Sequence, residues 1–539
     1  MTSSRLDNVQ NILLMGIFAF LIVTVPTNWI QFPDSGYYLA TSENMLNGLG
    51  YWFNGYPNLQ YYPGTSTVIA IPLFLFGLNF TLLQGFMALI SLTGVFLISR
   101  YYPTKDYGLV GFFTPLLVLS SSIFSIQIYA LLSDALFLTL SMIALVLWRE
   151  YDKSKSYKML WLCALVVALA PLVRLQGLFL IGAFGLSLLV NVFTSSSEKR
   201  TKLLIEALII GILVMSPFAL WTLRNYMLHS PDTFNMANNY FFGLEGLSIY
   251  AKGLQGDVSA EHVSSVWEFV YLRTTLFMGG LFESWYGGMS QLSRTIVTLF
   301  MLTISALGLK PWARRASKIE LIYVGISLLY LAKGILAAKN LHIVYRYWVP
   351  MLPFIIIIMG LGISKLVNLS VFGKWRIVPR TAGMLLATLL LITGSLNLTD
   401  HITQSEKYEI EAQAVARLTE FAQQNLPQDA VVATVDWGIL PRALQRQSYQ
   451  VLNDPSFIQT VTRMAKYQTK YLVTYGKFAR MNDPAKAMIA AYTELFDKQF
   501  SVFDDKPNTQ IEVYKVDIDR LASEILKDQI TTGADQIEG

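Results

Sequence analysis

"NILLMGIFAFLIVTVPTNWIQFPDSGYY" (Asn11–Tyr38) decides the fold class of this chain. The run from Asn11 to Ile30 is apolar and long enough to cross a bilayer, which takes roughly 20 such residues. Directly behind it stand a lone carboxylate, Asp34, and two tyrosines, Tyr37 and Tyr38. The loop then continues through "LATSENMLNGLGYWFNG" (Leu39–Gly55) without a Lys, Arg or His. No Ala-x-Ala cleavage pattern closes the apolar run, so it reads as a retained signal anchor.

Composition carries this reading to the whole chain. Of 539 residues, 53% are hydrophobic and only 14% are charged, with a mean hydropathy of +0.45. So few charges cannot cover a water-soluble protein of this length, and a polytopic membrane protein is expected. The formal charge of +5 is spread between apolar runs and forms no nucleic-acid-binding patch. One cysteine, Cys163, excludes an intramolecular disulfide and a thiolate metal cluster. His229, His262, His342 and His401 are scattered and lack zinc-ligand spacing. Phosphate-loop, HExxH and GxSxG motifs are missing as well. Nothing in the sequence calls for a cofactor; a divalent metal is compatible with its acids but not indicated.

Eleven apolar runs are expected to span, near 10–30, 80–99, 107–127, 132–149, 157–173, 175–193, 203–222, 292–309, 319–337, 347–368 and 381–398. Basic residues collect in alternate connections: Arg100 with Lys105, Arg149 with Lys153, then Lys199 with Arg200, Arg314 with Arg315, and Lys374 with Arg376. The positive-inside rule puts those connections and the N-terminus in the cytoplasm. Two long segments, 31–66 and 229–291, then lie outside, as does the tail. The short run Thr67–Gly77, interrupted by Pro72, is expected to lie at the outer interface. The expected architecture is an α-helical polytopic module over 1–398 and an extracytoplasmic soluble α/β domain over 399–539. In that tail the runs "DAVVATVD", "KYLVTYG", "QFSVFDD" and "QIEVYKV" read as strands between helices.

Charges at the ends of spans are candidates for function, because burying them is costly. Asp34 follows the first span, Asp134 opens the fourth, Arg174 turns between the fifth and sixth, Arg224 closes the seventh, and Arg346 opens the tenth. The derived topology places all five on the outer side. Taken singly, Asp34 also suits a turn, Asp134 after Ser133 suits a helix cap, and each arginine suits a snorkelling anchor. Together, three outer arginines oppose the positive-inside trend. Arginine presents a planar fork suited to phosphate.

In order along the chain, these residues resemble the GT-C glycosyltransferases, in the branch of protein O-mannosyltransferases and aminoarabinose transferases. "PDSGYYLATSENMLNGLGY" with "YYPGTS" resembles the family's first outer loop, and "SDALFLTLSMIAL" its acid at the start of the fourth helix. "LVRLQGLFL", "WTLRNYMLHSP" and "YRYWVPMLPFI" resemble its later arginine and aromatic-proline elements. The match is ordered over about Met1–Gly362. Protein O-mannosyltransferases carry Asp-Glu in the first loop, whereas here Ser35 follows Asp34.

The resemblance implies transfer of a sugar from a polyprenyl-phosphate donor to an acceptor outside the plasma (inner) membrane, with inversion. It implies Asp34 as base, since a solvent-open aspartate is ionised at neutral pH. Asp134 would position the acceptor, orient Asp34 or contact a metal. Arg224, Arg346 and Arg174 would hold the donor phosphate, and Tyr37, Tyr38 and Tyr345 would line the sugar site. The sugar and prenyl carrier stay open, and so does the acceptor, whether glycan, lipid or protein. The competing class is a transporter or flippase of a lipid-linked or anionic solute; an odd span number and no visible inverted repeat weigh against it.

Overall fold

The computed structural model describes residues 3–54, 56–59, 61–228, 265, 267–275, 290–337, 346–367, 388, 391–392, 395, 405–451, 458–503 and 509–535. Most of the expected span 381–398, most of the segment 229–291, and Tyr345 fall outside them. The first part of the chain runs α1 (Ser3–Val23), α2 (Pro33–Leu46), the hairpin β1–β2 (Trp52–Phe53, Tyr56–Pro57), α3 (Pro63–Phe76) and α4 (Phe80–Tyr101). Next come α5 (Thr104–Tyr107), α6 (Leu109–Ser120), α7 (Ser122–Ser125), α8 (Ser133–Ser154), α9 (Tyr157–Val173), α10 (Gly177–Phe193) and α11 (Ser197–Met227). Further on lie α12 (Gln291–Ala313), α13 (Lys318–Ala337), a 3-10 turn (Arg346–Met351) and α14 (Leu352–Val367).

The chain forms two compact units. One comprises Met1–Val25, Leu59–Thr65 and Gln84–Thr403; the other comprises Pro26–Asn58, Ser66–Leu83 and Gln404–Gly539. Residues Pro26–Asn58, which hold most of the loop after α1, are thus grouped with the tail.

In the first unit the helices are apolar around most of their circumference. Among the described residues, five segments are long and apolar enough to cross a membrane: Arg5–Val23, Phe80–Tyr101, Ser197–Met227, Gln291–Ala313 and Arg346–Val367. Large apolar side chains such as Phe193, Leu208, Ile212 and Leu220 are exposed on the helices. This is the surface of an integral membrane protein.

Two expected spans are shorter than hydropathy suggests. Helix α1 stops at Val23 rather than near Ile30, where Pro26 supplies no N–H and Thr24 turns its hydroxyl back onto the Phe20 carbonyl at 2.9 Å. The run 107–127 breaks at Ser121, whose extended backbone separates α6 from α7. Within α6, Pro115 deprives the Gly111 carbonyl of its helical donor. The buried Gln10 side-chain amide replaces that donor at 2.9 Å and reaches the Phe112 carbonyl at 2.8 Å. A proline defect in one helix is therefore repaired by another.

Helices α12 and α14 pack backbone to backbone. A Cβ on Gly308 would fall 1.8 Å from the Ile358 carbonyl oxygen, and one on Gly362 would fall 1.9 Å from that of Ile304. Small residues allow such approach between membrane helices.

The second unit holds the hairpin, α2 and a five-stranded sheet. The tail runs α15 (Ser405–Asn425), β3 (Val431–Thr434), α16 (Ile439–Leu444), β4 (Gln447–Gln450), α17 (Ile458–Lys466), β5 (Tyr471–Tyr475), α18 (Ala479–Ala491), β6 (Phe496–Val502), β7 (Ile511–Val516) and α19 (Ile518–Asp535). The sheet order is β4-β3-β5-β7-β6. Strands β4, β3 and β5 are mutually parallel, while β7 is antiparallel to β5 and β6. The four apolar runs quoted for the tail are β3, β5, β6 and β7. The polar "QSYQ" of β4 (Gln447–Gln450) gives no strand signal, because it is an edge strand recruited by pairing with β3.

Replacing Gly308 by alanine is expected to lower the melting temperature of the detergent-purified protein, with a cost of about 1–3 kcal/mol from overpacking. At Gly325 in α13 an added methyl group would meet nothing within 4 Å. There alanine should be neutral or stabilising, as helix propensity predicts. Paired thermal scans of the two variants check this.

Candidate active site

Helix α8 begins at Ser133, with Leu132 rather than Ser133 in the cap position, so Asp134 lies in the first turn. Its carboxylate is fully buried and is caught between two arginines. Arg174, the extended residue that ends α9, bonds Oδ1 through Nη1. Arg346, the first residue of the 3-10 turn, reaches Oδ2 with Nη2 at 2.7 Å and Nε at 3.2 Å. Arg174 is itself held by Gln176 Oε1 at 2.6 Å and lies over the Tyr347 ring, 5.5 Å from its centre. The cluster carries two positive charges against one negative. A buried carboxylate surrounded this way is a strut that aligns guanidiniums. Arg346 keeps 31% of its side chain exposed and can meet a ligand.

Three of the five span-end charges are thereby brought together. Arg224 has a different neighbourhood: it donates to Asn225 Oδ1 at 2.7 Å and stacks over Trp221 at 4.6 Å.

Asp34 belongs to the second unit, in the first turn of α2, and is nearly buried at 9% exposure. The sequence suggests an open carboxylate in a polar loop. Instead the tail covers it: Trp437 Nε1 donates to Asp34 Oδ1 at 3.1 Å. The contact is backbone-tight on either side. A Cβ on Gly438 would fall 1.7 Å from the Pro33 carbonyl oxygen, and one on Gly36 would fall 2.6 Å from the Gly438 carbonyl carbon. Further along α2, Glu43 takes a two-pronged bond from Arg442, at 2.7 and 3.1 Å, while Arg442 lies over Trp29 at 5.3 Å. Ahead of Asp34, buried Gln31 donates to the Glu411 carbonyl at 3.1 Å, and the Gln31 carbonyl accepts from Lys477 at 2.9 Å.

The tryptophan is presented by a capped turn. Asp436 accepts from the backbone N–H groups of Gly438, Ile439 and Leu440 at 2.9, 2.6 and 3.0 Å, filling the orphan donors at the start of α16. Burial pushes the Asp436 carboxyl up to about 6, against the pull of those three donors and of Lys477. Tyr37 is an interior residue whose hydroxyl donates to Asn58 Oδ1 at 3.1 Å and whose ring stacks on Phe53 at 3.9 Å. Burial, and then the neighbouring Tyr38, push its hydroxyl upward. Tyr38 is also buried.

Asp436, Trp437, Glu43 and Arg442 do not stand out in the sequence. The visible signal is "DWG" ahead of a short apolar helix, a cap pattern. Their pairing joins residues some 400 positions apart, which no local pattern records.

The described residues form a helical fold with several apolar segments long enough to cross a membrane, and solved structures share that fold. The structure is similar to that of ArnT from Cupriavidus metallidurans in the apo state, with TM-score 0.56 and 14% identity over 94% of this chain and 97% of that one. It is likewise similar to ArnT from Cupriavidus metallidurans bound to undecaprenyl phosphate, with TM-score 0.55 and 14% identity over 94% and 98%. The oligosaccharyltransferase of Archaeoglobus fulgidus in the apo form matches with TM-score 0.51 and 12% identity, over 91% of this chain and 73% of that one. No protein-family model and no curated protein sequence matches the chain.

Asp436 should make stability depend on pH. Its folded-state value lies above its ordinary 3.8, so the folded form binds the proton more tightly. The stability this contributes is complete below pH 3.8 and is lost as pH rises through about 6. Asp436→Asn is expected to flatten the pH dependence of unfolding between those limits, measured by tryptophan fluorescence during thermal unfolding.

Proposed function

We propose that this chain is a membrane glycosyltransferase that moves a sugar from a polyprenyl-phosphate donor to an acceptor outside the cytoplasm, with inversion. The observation that carries the reading is the pair of guanidiniums, Arg174 and Arg346, aligned on buried Asp134. Such a pair fits a phosphate that gains charge during reaction. The likeness to ArnT bound to undecaprenyl phosphate supports the donor class, and the acceptor remains a glycan, lipid or protein.

In the reaction an acceptor hydroxyl attacks the anomeric carbon as the bond from that carbon to the phosphate oxygen breaks. The bonding pair leaves on the phosphate, and the configuration at carbon inverts. Arg174 and Arg346 stabilise that charge, with Arg224 as a further phosphate contact. Asp34 takes the hydroxyl proton. The Trp437 N–H fixes the orientation of the Asp34 carboxylate, and Asp134 acts through the arginines it aligns. In this reading the arginines supply the neutralising charge, and no metal is invoked. The topology that accompanies it has eleven crossings and a cytoplasmic N-terminus. A helical module over 1–398 precedes an extracytoplasmic α/β tail over 399–539.

The test is release of prenyl phosphate by purified protein, offered a panel of prenyl-phosphate sugars with native membrane extract as acceptor. Wild type should turn over, and Asp34→Asn should lose about 10²–10⁴-fold with donor binding retained. Trp437→Phe keeps an aromatic side chain, though a smaller one, and removes the N–H; it should lower kcat about tenfold with little change in KM. Donor that crosses vesicles without being consumed would instead establish a transporter. Unchanged turnover in Asp34→Asn would remove Asp34 as the base.

A further inference from the structure

A second polar site lies in the first unit, away from the arginine cluster. The N-terminal end of α1 and the C-terminal ends of α4 and α8 enclose a cavity of about 350 Å³, within the size range of ligand sites. Four cations line it, Arg100, Lys105, Arg149 and Lys153, against two acids, Asp7 and Glu150.

The acids are already engaged. Asp7 Oδ1 accepts from the Thr104 hydroxyl at 2.7 Å and from its backbone N–H at 3.2 Å, and Glu150 pairs with Lys153 at 2.8 Å. Arg149 is held at the wall by Asp106 at 3.2 Å and by the Tyr101 carbonyl. That carbonyl is fixed in turn from behind. The Tyr101 and Tyr102 hydroxyls donate to buried Glu320 at 2.8 and 2.7 Å, and Trp312 Nε1 donates to it at 2.8 Å. Arg100 and Lys105 have no carboxylate partner among the described residues. Arg149 and Lys153 are thus paired, and Arg100 with Lys105 outweighs the single remaining charge of Asp7, so the lining of the cavity is net positive.

The surroundings say which anion fits. Arg100 stacks over Phe96, 4.8 Å from the ring centre and one turn further into α4. Phe96 and Leu89, seven residues apart on one face, are exposed, as are Ile12 and Leu13 on α1. Both helices are apolar and long enough to cross a membrane. A ligand with a charged head at the helix ends and apolar chains along these faces matches that layout. We propose that this cavity binds the phosphodiester headgroup of an anionic phospholipid, with Arg100 and Lys105 as its principal contacts. Basic pockets between membrane helices recognise anionic headgroups in this manner.

The test uses the full chain purified in mild detergent and exchanged into nanodiscs or read by native mass spectrometry. Wild type should retain one phosphatidylglycerol in preference to phosphatidylcholine, in a saturable manner. The double variant Arg100→Ala/Lys105→Ala should weaken that retention at least about tenfold. Lys199→Ala/Arg200→Ala, at exposed basic residues that do not line the cavity, should leave it unchanged. Both altered positions of the first variant are exposed, and an unaltered melting temperature confirms folding. Equal retention of the two lipids, or no effect of the double variant, would overturn the proposal. Displacement of the lipid by millimolar glycerol phosphate would overturn its lipid source and assign a soluble phosphate ester.

Discussion

A carboxylate removed from water among apolar helices must be surrounded by donors, because its desolvation costs several kcal/mol. The first unit meets this constraint in two ways. Asp134 takes its donors from two arginines and so becomes part of a net positive cluster. Glu320 takes its donors from two tyrosines and a tryptophan, and so becomes a knot between α4, α12 and α13. The first arrangement leaves charge available to an anion. The second uses the charge to hold helix ends in place.

In the second unit the same constraint is met through backbone contact. The stretch that begins with Asp34 is covered by the tail because Gly36 and Gly438 allow the two segments to touch without side chains between them. Once they touch, Trp437 meets Asp34 and Arg442 meets Glu43. Asp436 keeps the turn that carries Trp437 in shape by filling the donors of the next helix. A bulky residue at either glycine would separate the loop from the tail and leave these polar groups without those partners.

The span-end charges are legible because a charge at the edge of an apolar run is rare and visible in a window of about twenty residues. Asp134, Arg174 and Arg346 stand out on that ground alone, in three separate segments, and they form one cluster. The tail strands β3, β5, β6 and β7 are legible from apolar runs between turn residues. The polar edge strand β4 is not, since its pairing and not its composition makes it a strand. Hydropathy alone misplaces the ends of α1 and α6, because it treats as continuous the runs that Pro26 and Ser121 interrupt.

By itself the sequence determined that this is an apolar, multi-helical chain, where its charges stand along it, and which acids and arginines are unusual for their positions. Those are properties of composition and local order, which every residue carries with it. Only the tertiary structure decided that Asp134 aligns Arg174 and Arg346, that Trp437 meets Asp34, and that most of the first loop is grouped with the tail rather than with the helices around it in sequence. These depend on contacts between residues up to some 400 positions apart. Such contacts arise from the satisfaction of buried donors and acceptors across the whole fold, and no single segment encodes them.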